Sequence, residues 1–223
     1  MDFGEENLVA CAKHFIGYGA AEAGRDYHHT EISDYSLYNY YLPAFRSAVD
    51  SGVATIMSSF NDINGENVSS SRYYLTDILR DRLGFEGFVV SDWGSVEIAL
   101  RQGIAENYAD CAEMSINAGV DMNMVEGSYI KNLESLVEEG KVSVETIDLA
   151  VKRVLRVKMA KKLFENPYSH NIDVDFNKHL IDAEKLALES MVLLKNKDNV
   201  LPLKKNEKVA LVGPFANERR SLL

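Results

Sequence analysis

Four times in its first 140 residues the chain repeats one pattern: a short apolar run, a polar break, then apolar residues at helical spacing. The runs are Leu8–Phe15, Val53–Ser59, the stretch "GFVVSD" that ends on Asp92, and Val120–Met124. The helices expected behind them cover Asp34–Asp50, Ser71–Leu83, Asn107–Ala118 and Tyr129–Glu139. Continuous apolar runs of this length, bounded by glycine or turn residues, read as strands buried on both faces, the kind that parallel sheets use. Repeated strand–helix units with crossover helices therefore imply an α/β fold. Pro43 lies inside the first helix and is expected to break or kink it, because it lacks an N–H and clashes with the preceding turn. Tyr74, Leu75, Ile78 and Leu79 share one face of the second helix. Gly119 and Gly140 close the third and fourth.

Two architectures compete for such repeats, an open doubly wound sheet and a (β/α)8 barrel of which about half is present. The first usually shows a glycine-rich phosphate loop after its first strand. Here Lys13 and His14 occupy that place, and "GYGAAEAG" at 17–24 lacks both the G-x-G-x-x-G spacing and an immediate helix start. The barrel is favoured because each run ends in polar groups: Lys13 and His14, then Ser59 and Asn61, then Asp92, then Asn123 and Glu126. Catalytic side chains of barrels gather at those C-terminal strand ends.

Beyond the fourth unit the character changes. Ser143 caps a long helix expected over Val144–Phe164, with Ile147, Val151, Val154 and Leu155 as an apolar stripe beside a basic face. An irregular linker follows at 165–177, another helix at 178–194, and a buried strand at 209–212 that opens a second α/β domain. The domain reading is 1–164 for the partial barrel, 165–207 for a linker and linking helix, and 208–223 for the start of the second domain.

A formal charge of −10 leaves no basic face to neutralise phosphates, which argues against a nucleic-acid partner and suits a small neutral substrate. No apolar run approaches the ~18 residues of a membrane span, and the opening "MDFGEEN" is no signal segment. If the parent protein is exported, its signal is expected outside this chain. Cys11 and Cys111 are too few for a disulfide framework. No cofactor or metal is expected.

Asp92 stands at the end of the third run beside Trp93, the chain's only tryptophan. An acid in that place is solvated, caps a helix, or takes part in chemistry. On the residues alone a cap is the commoner reading.

The stretches "AKHFIGYGAAEAGRDY", "IMSSFNDINGE", "LTDILRDRLGFEGFVVSDWGS", "AGVDMNM" and "ALESMVLLKNKDNVLPL", in this order and spacing, resemble glycoside hydrolase family 3, most of all its bacterial periplasmic β-glucosidase branch. The likeness runs from about Leu8 to Asn217. It implies a retaining exo-acting β-glycosidase with a barrel followed by an α/β sandwich, of which this chain would hold the C-terminal half of the (β/α)8 barrel and the first strand of the sandwich. It implies periplasmic or secreted localisation and a small oligosaccharide or an aryl or alkyl glycoside as substrate. Asp92 matches the family's nucleophile, and Lys13 and His14 its sugar-binding Lys-His pair. Arg25 falls where the family has another basic sugar-binding residue. Phe60 stands where many members have tyrosine, which keeps a wall and removes a hydroxyl. Trp93 stacks on a sugar face or packs in the core.

The family's β-glucosidases take the acid/base glutamate from the second domain, so it is expected beyond Leu223. Glu66, Glu97 and Glu126 read as solvated loop or helix residues. A chain holding half a barrel is expected to associate and to hydrolyse no glycoside by itself. Two alternatives stand beside this reading. One is the N-acetylhexosaminidase branch, whose histidine–aspartate donor "RDYHH" imitates with Asp26 and His28. The other is a noncatalytic carbohydrate-binding remnant.

Overall fold

The computed structural model describes residues 8–168 and 174–218. The acidic opening at 1–7, part of the expected linker and residues 219–223 of the segment from 208 lie outside the described residues. The chain divides into two units, Met1–Ser169 and His170–Leu223.

The first unit is mixed α/β, built on a parallel sheet in the order β1 (Cys11–Phe15), β2 (Thr55–Ser58) and β5 (Phe88–Ser91). Strand order follows chain order, as it must when each helix crosses back to start a strand beside the last. Helix α1 joins the first two as three consecutive segments, Asp34–Ser36, the π-helical Leu37–Tyr41 and Leu42–Asp50. Pro43 does not break it. The wider π turn hands over to an α segment at Leu42, whose N–H bonds back to Leu37, so Pro43 falls in a first turn where no N–H is needed.

After β2 a two-stranded hairpin, β3 (Asp62–Ile63) and β4 (Glu66–Asn67), turns on Asn64 and Gly65. Both have positive φ, 53° and 87°, the requirement of the tight turn that Asn-Gly favours. The π-helical α2 (Tyr73–Arg82) buries Tyr74, Leu75, Ile78 and Leu79 as the spacing predicts. It leads to β5 through Gly87. A Cβ there would lie 2.0 Å from the Ala54 carbonyl oxygen, so only glycine lets β5 close onto β2.

A turn over residues 92–97 leads to the short α3 (Ile98–Arg101), which the sequence reading did not anticipate. Helix α4 (Tyr108–Ala118) is capped by Asn107 and ends at Gly119. The strand expected at Val120–Met124 is reduced to a single parallel bridge between Val90 and Met122. Backbone bonds tie it to β5, from Asp121 and Met122 N–H to the Val89 carbonyl and from Ser91 N–H to the Met122 carbonyl, and side chains add two more: the Asp121 carboxylate accepts from Val89 N–H at 2.8 Å, and Ser91 Oγ accepts from Met124 N–H at 2.7 Å. Asp121 also binds Arg80 of α2 at 2.6 Å and Arg153 at 2.9 Å, and its side chain is only 1% exposed. Burial raises its pKa, and the two arginines oppose that shift.

Helices α5 (Ser128–Glu138) and α6 (Val144–Ala160) complete the unit. On α6 Ala150 and Val157 are buried and Ile147 and Val154 partly so, while Val151 and Leu155 face outward. The apolar residues of α6 cover more than one face, and spacing alone did not select the buried one. The core gathers on Phe15, Ile56, Val89, Leu75, Ile116 and Leu136.

In the second unit α7 (Phe176–Ser190) starts on Asp175, whose side chain accepts from Lys178 N–H. No strand forms among its described residues. The segment 209–212, expected as a buried strand, is exposed, Val212 to 88%. A strand needs a neighbour to satisfy its backbone groups, and 209–212 has no ladder partner among the described residues.

Candidate active site

Lys13 and His14 lie in a bulge. Ala12 pairs with Ile56 and Phe15 with Ser58, so three steps along β1 oppose two along β2. An extra residue re-aims the side chains around it, which is why bulges recur beside functional sites. Lys13 faces solvent and His14 is half-buried. Nε2 of His14 stands 3.3 Å from Oδ2 of Asp92, which leaves the end of β5 two strands away. The Asp92 side chain is 15% exposed. Burial lowers the pKa of His14, the Asp92 charge pulls it up, and Lys13 pushes it down.

Asp92 is not a helix cap. Its Oδ1 accepts from the adjoining Trp93 N–H at 2.6 Å, and α3 begins only at Ile98. The backbone N–H of Glu97, the N-cap residue of α3, is taken instead by Oε1 of Glu126 at 3.2 Å. Glu126 Oε2 accepts from Asn123 Nδ2 at 2.9 Å. Burial raises the Glu126 pKa against these bonds. Glu66 is held by the Ser71 hydroxyl at 2.5 Å.

The loop after β1 arches over this point. Tyr18 packs its ring 4.8 Å from that of His14 and donates its hydroxyl to Asp26 at 2.8 Å. Phe60 is 5% exposed, edge-on to Tyr18 and stacked under Tyr27 at 4.4 Å, so it forms a wall behind the loop. The loop's far end is pinned to the hairpin. His29 Nδ1 contacts Asp62 Oδ2, and Thr30 donates to the Asp62 carbonyl at 2.5 Å. The bond to Asp62 raises the His29 pKa.

Trp93 is 67% exposed and therefore is not a core residue. With Tyr27, Tyr108, Glu97, Arg101 and Glu126 it lines an open cavity of about 620 Å3. Arg25 is exposed on the loop, and no described contact joins it to His14 or Asp92. The pair Asp26 and His28 is not assembled: Asp26 is engaged by Tyr18, and no hydrogen bond links it to His28. Among the described residues no group of three or more histidine, cysteine or acidic side chains could hold a metal. No described helix is long and apolar enough to cross a membrane.

Sequence reasoning missed Tyr18 and the structural use of Glu126. Tyr18 follows the Lys-His pair by four residues, a proximity that could have drawn attention to it. Nothing in the order of residues links Glu126 to Glu97.

Residues 3–157 match the model of the glycosyl hydrolase family 3 N-terminal domain. A periplasmic beta-glucosidase of Salmonella typhimurium is 38% identical over 97% of this chain and 30% of its own length. A beta-xylosidase of Formosa agariphila is 35% identical over 98% of the chain and 32% of its own. Among solved structures, a beta-glucosidase from Listeria innocua in complex with glucose aligns with TM-score 0.80 and 39% identity, covering 89% of this chain and 28% of that one. The chain thus spans about a third or less of the length of these relatives.

Proposed function

The chain belongs to glycoside hydrolase family 3, and from that premise we propose that it forms the nucleophile-bearing part of a retaining exo-β-glycosidase of the β-glucosidase type. The observation that carries the reading is the 3.3 Å approach of His14 and Asp92 from the ends of two different strands. Its three-stranded parallel sheet, with polar groups at the strand ends, suits half of a (β/α)8 barrel over 1–164. Residues 165–207 are then a linker and linking helix, and 208–223 begin a second domain.

In this mechanism the Asp92 carboxylate attacks the anomeric carbon as the bond to the aglycone oxygen breaks, forming a glycosyl ester. A proton donor delivers its proton to the departing oxygen. Water, deprotonated by the same group, then attacks the anomeric carbon, releasing the sugar with retained configuration and restoring the carboxylate. Neutral His14 donates an N–H, and the Lys13 ammonium and Arg25 guanidinium donate charged hydrogen bonds, to sugar hydroxyls. Trp93 offers a flat exposed face to the substrate.

We assign the proton donor to none of the three candidate glutamates, since Glu66 and Glu126 are engaged elsewhere and Glu97 sits on the turn into α3. The donor belongs to the second domain, as the family resemblance implies. The substrate is a terminal β-D-glucoside or a related glycoside, in keeping with glucose bound to the Listeria enzyme. Periplasmic or secreted placement follows the Salmonella relative's name.

The test is Asp92→Asn in the complete polypeptide. The amide keeps the shape of the acid and cannot readily form the ester, so turnover should fall by about 10³-fold or more with folding spared. Azide should partly restore turnover in Asp92→Gly, yielding a glycosyl azide of inverted configuration. Wild-type turnover in Asp92→Asn contradicts the reading.

A further inference from the structure

The segment that carries Asp92 has no regular structure of its own, since residues 92–97 form turns between β5 and α3. It is gripped from two sides. On one, the fully buried Ser95 hydroxyl meets Ser69 Oγ at 3.0 Å, and Ser69 donates to the Ser59 carbonyl at 2.7 Å. Ser58, at the end of β2, joins this chain of hydroxyls at 2.8 Å. On the other side stands Glu126, reaching across from the loop after the Val90–Met122 bridge. One of its oxygens holds the Glu97 N–H and the other the Asn123 amide. Gly94 lies against the same carboxylate, where a Cβ would stand 3.5 Å from Oε1. No side chain of the segment itself caps α3. Without Glu126 the Glu97 N–H loses its partner, and the turn loses its anchor on the side away from the serines.

We propose that Glu126 is a positioning residue for glycosyl transfer: by bonding the backbone of the Asp92 segment from the adjacent loop, it fixes where the nucleophile stands without touching the reacting atoms. This rests on the reading of Asp92 as the nucleophile. The dependence is geometric. A nucleophile displaced by about 1 Å forfeits on the order of 10²-fold in rate even when its own chemistry is intact.

The experiment uses the complete polypeptide and the variants Glu126→Ala, Glu126→Met and Glu126→Gln, assayed on aryl β-glucosides of graded leaving-group acidity. Turnover is expressed per active site titrated with a 2-deoxy-2-fluoro glucoside, which removes any loss due to misfolded protein. Alanine and methionine offer no acceptor and should lower the rate per site by about 10²-fold, equally for good and poor leaving groups. Glutamine keeps an oxygen for the Glu97 N–H and should stay within about tenfold of wild type. If the alanine variant does not fold, methionine, of similar length, carries the same prediction. A wild-type rate per site in Glu126→Met overturns the proposal, as does glutamine as damaging as methionine. A loss that deepens as the leaving group becomes more basic also overturns it, because it would make Glu126 the proton donor. Asp92→Asn assayed alongside separates the failures: if it stays active the nucleophile is misassigned, and if it is dead while Glu126→Met is unimpaired only the positioning role falls.

Discussion

His14 and His29 belong to one stretch of chain and are tuned in opposite directions. Burial lowers the pKa of His14 below its ordinary 6.5, and the bond to Asp62 raises that of His29 above it. Titrating ring-proton NMR signals should therefore give midpoints on opposite sides of 6.5, and the reverse order would contradict the contacts described. The stability consequences differ in sign. The unfolded chain takes up His14's proton first, so His14 withdraws stability as pH falls below 6.5. The contribution of His29 is complete below 6.5 and is lost as pH rises through its folded value. The proposed contact of Lys13 with substrate has a direct test. Lys13→Ala in the complete polypeptide should cost about 10–100-fold in turnover, the worth of one charged hydrogen bond. Unchanged kinetics would remove Lys13 from the substrate site. Asp92, Lys13 and His14 were legible because each ends an apolar run and matches a family motif. That Trp93 stands in solvent and that Tyr18 engages Asp26 were not, because exposure and cross-loop bonds depend on how the loops fold back.

At the scale of elements the buried Asp121 side chain reinforces the short backbone pairing of its own segment with β5. It ties β5, α2 and α6 together through Val89 N–H, Arg80 and Arg153. Replacing it with alanine leaves two arginines without their counter-charge, Arg80 nearly buried, and should cost about 3–5 kcal/mol in urea unfolding. A loss below about 1 kcal/mol would mean that the arginines find other partners. The sequence pattern found α2 with its buried face, and the extents of α4 and α5, because tertiary packing there agrees with local pattern. It overextended Val120–Met124, where backbone pairing is confined to Asp121 and Met122 and side chains supply the bonds on either side, and it misjudged Pro43, where a π turn absorbs the missing donor.

For the molecule as a whole, the parallel sheet has three strands and one further bridge. Along the outer edge of β1 the strand has no ladder partner among the described residues. Such edges recruit partners. The 223-residue chain by itself should therefore associate in sedimentation and show no glucosidase turnover; a monodisperse, active monomer would contradict the half-barrel reading. Sequence and resemblance together carried the order of the units, but not the state of 209–212, because a strand's existence depends on its neighbour as much as on its own residues.

The central claim, that Asp92 forms a covalent bond to the sugar, is tested most directly by peptide mapping of the complete polypeptide after inactivation with a 2-deoxy-2-fluoro β-glucoside bearing a good leaving group. One labelled peptide is expected, containing "VVSDWGS", with the sugar esterified to Asp92. Label recovered on another carboxylate, with Asp92 unmodified, would contradict it.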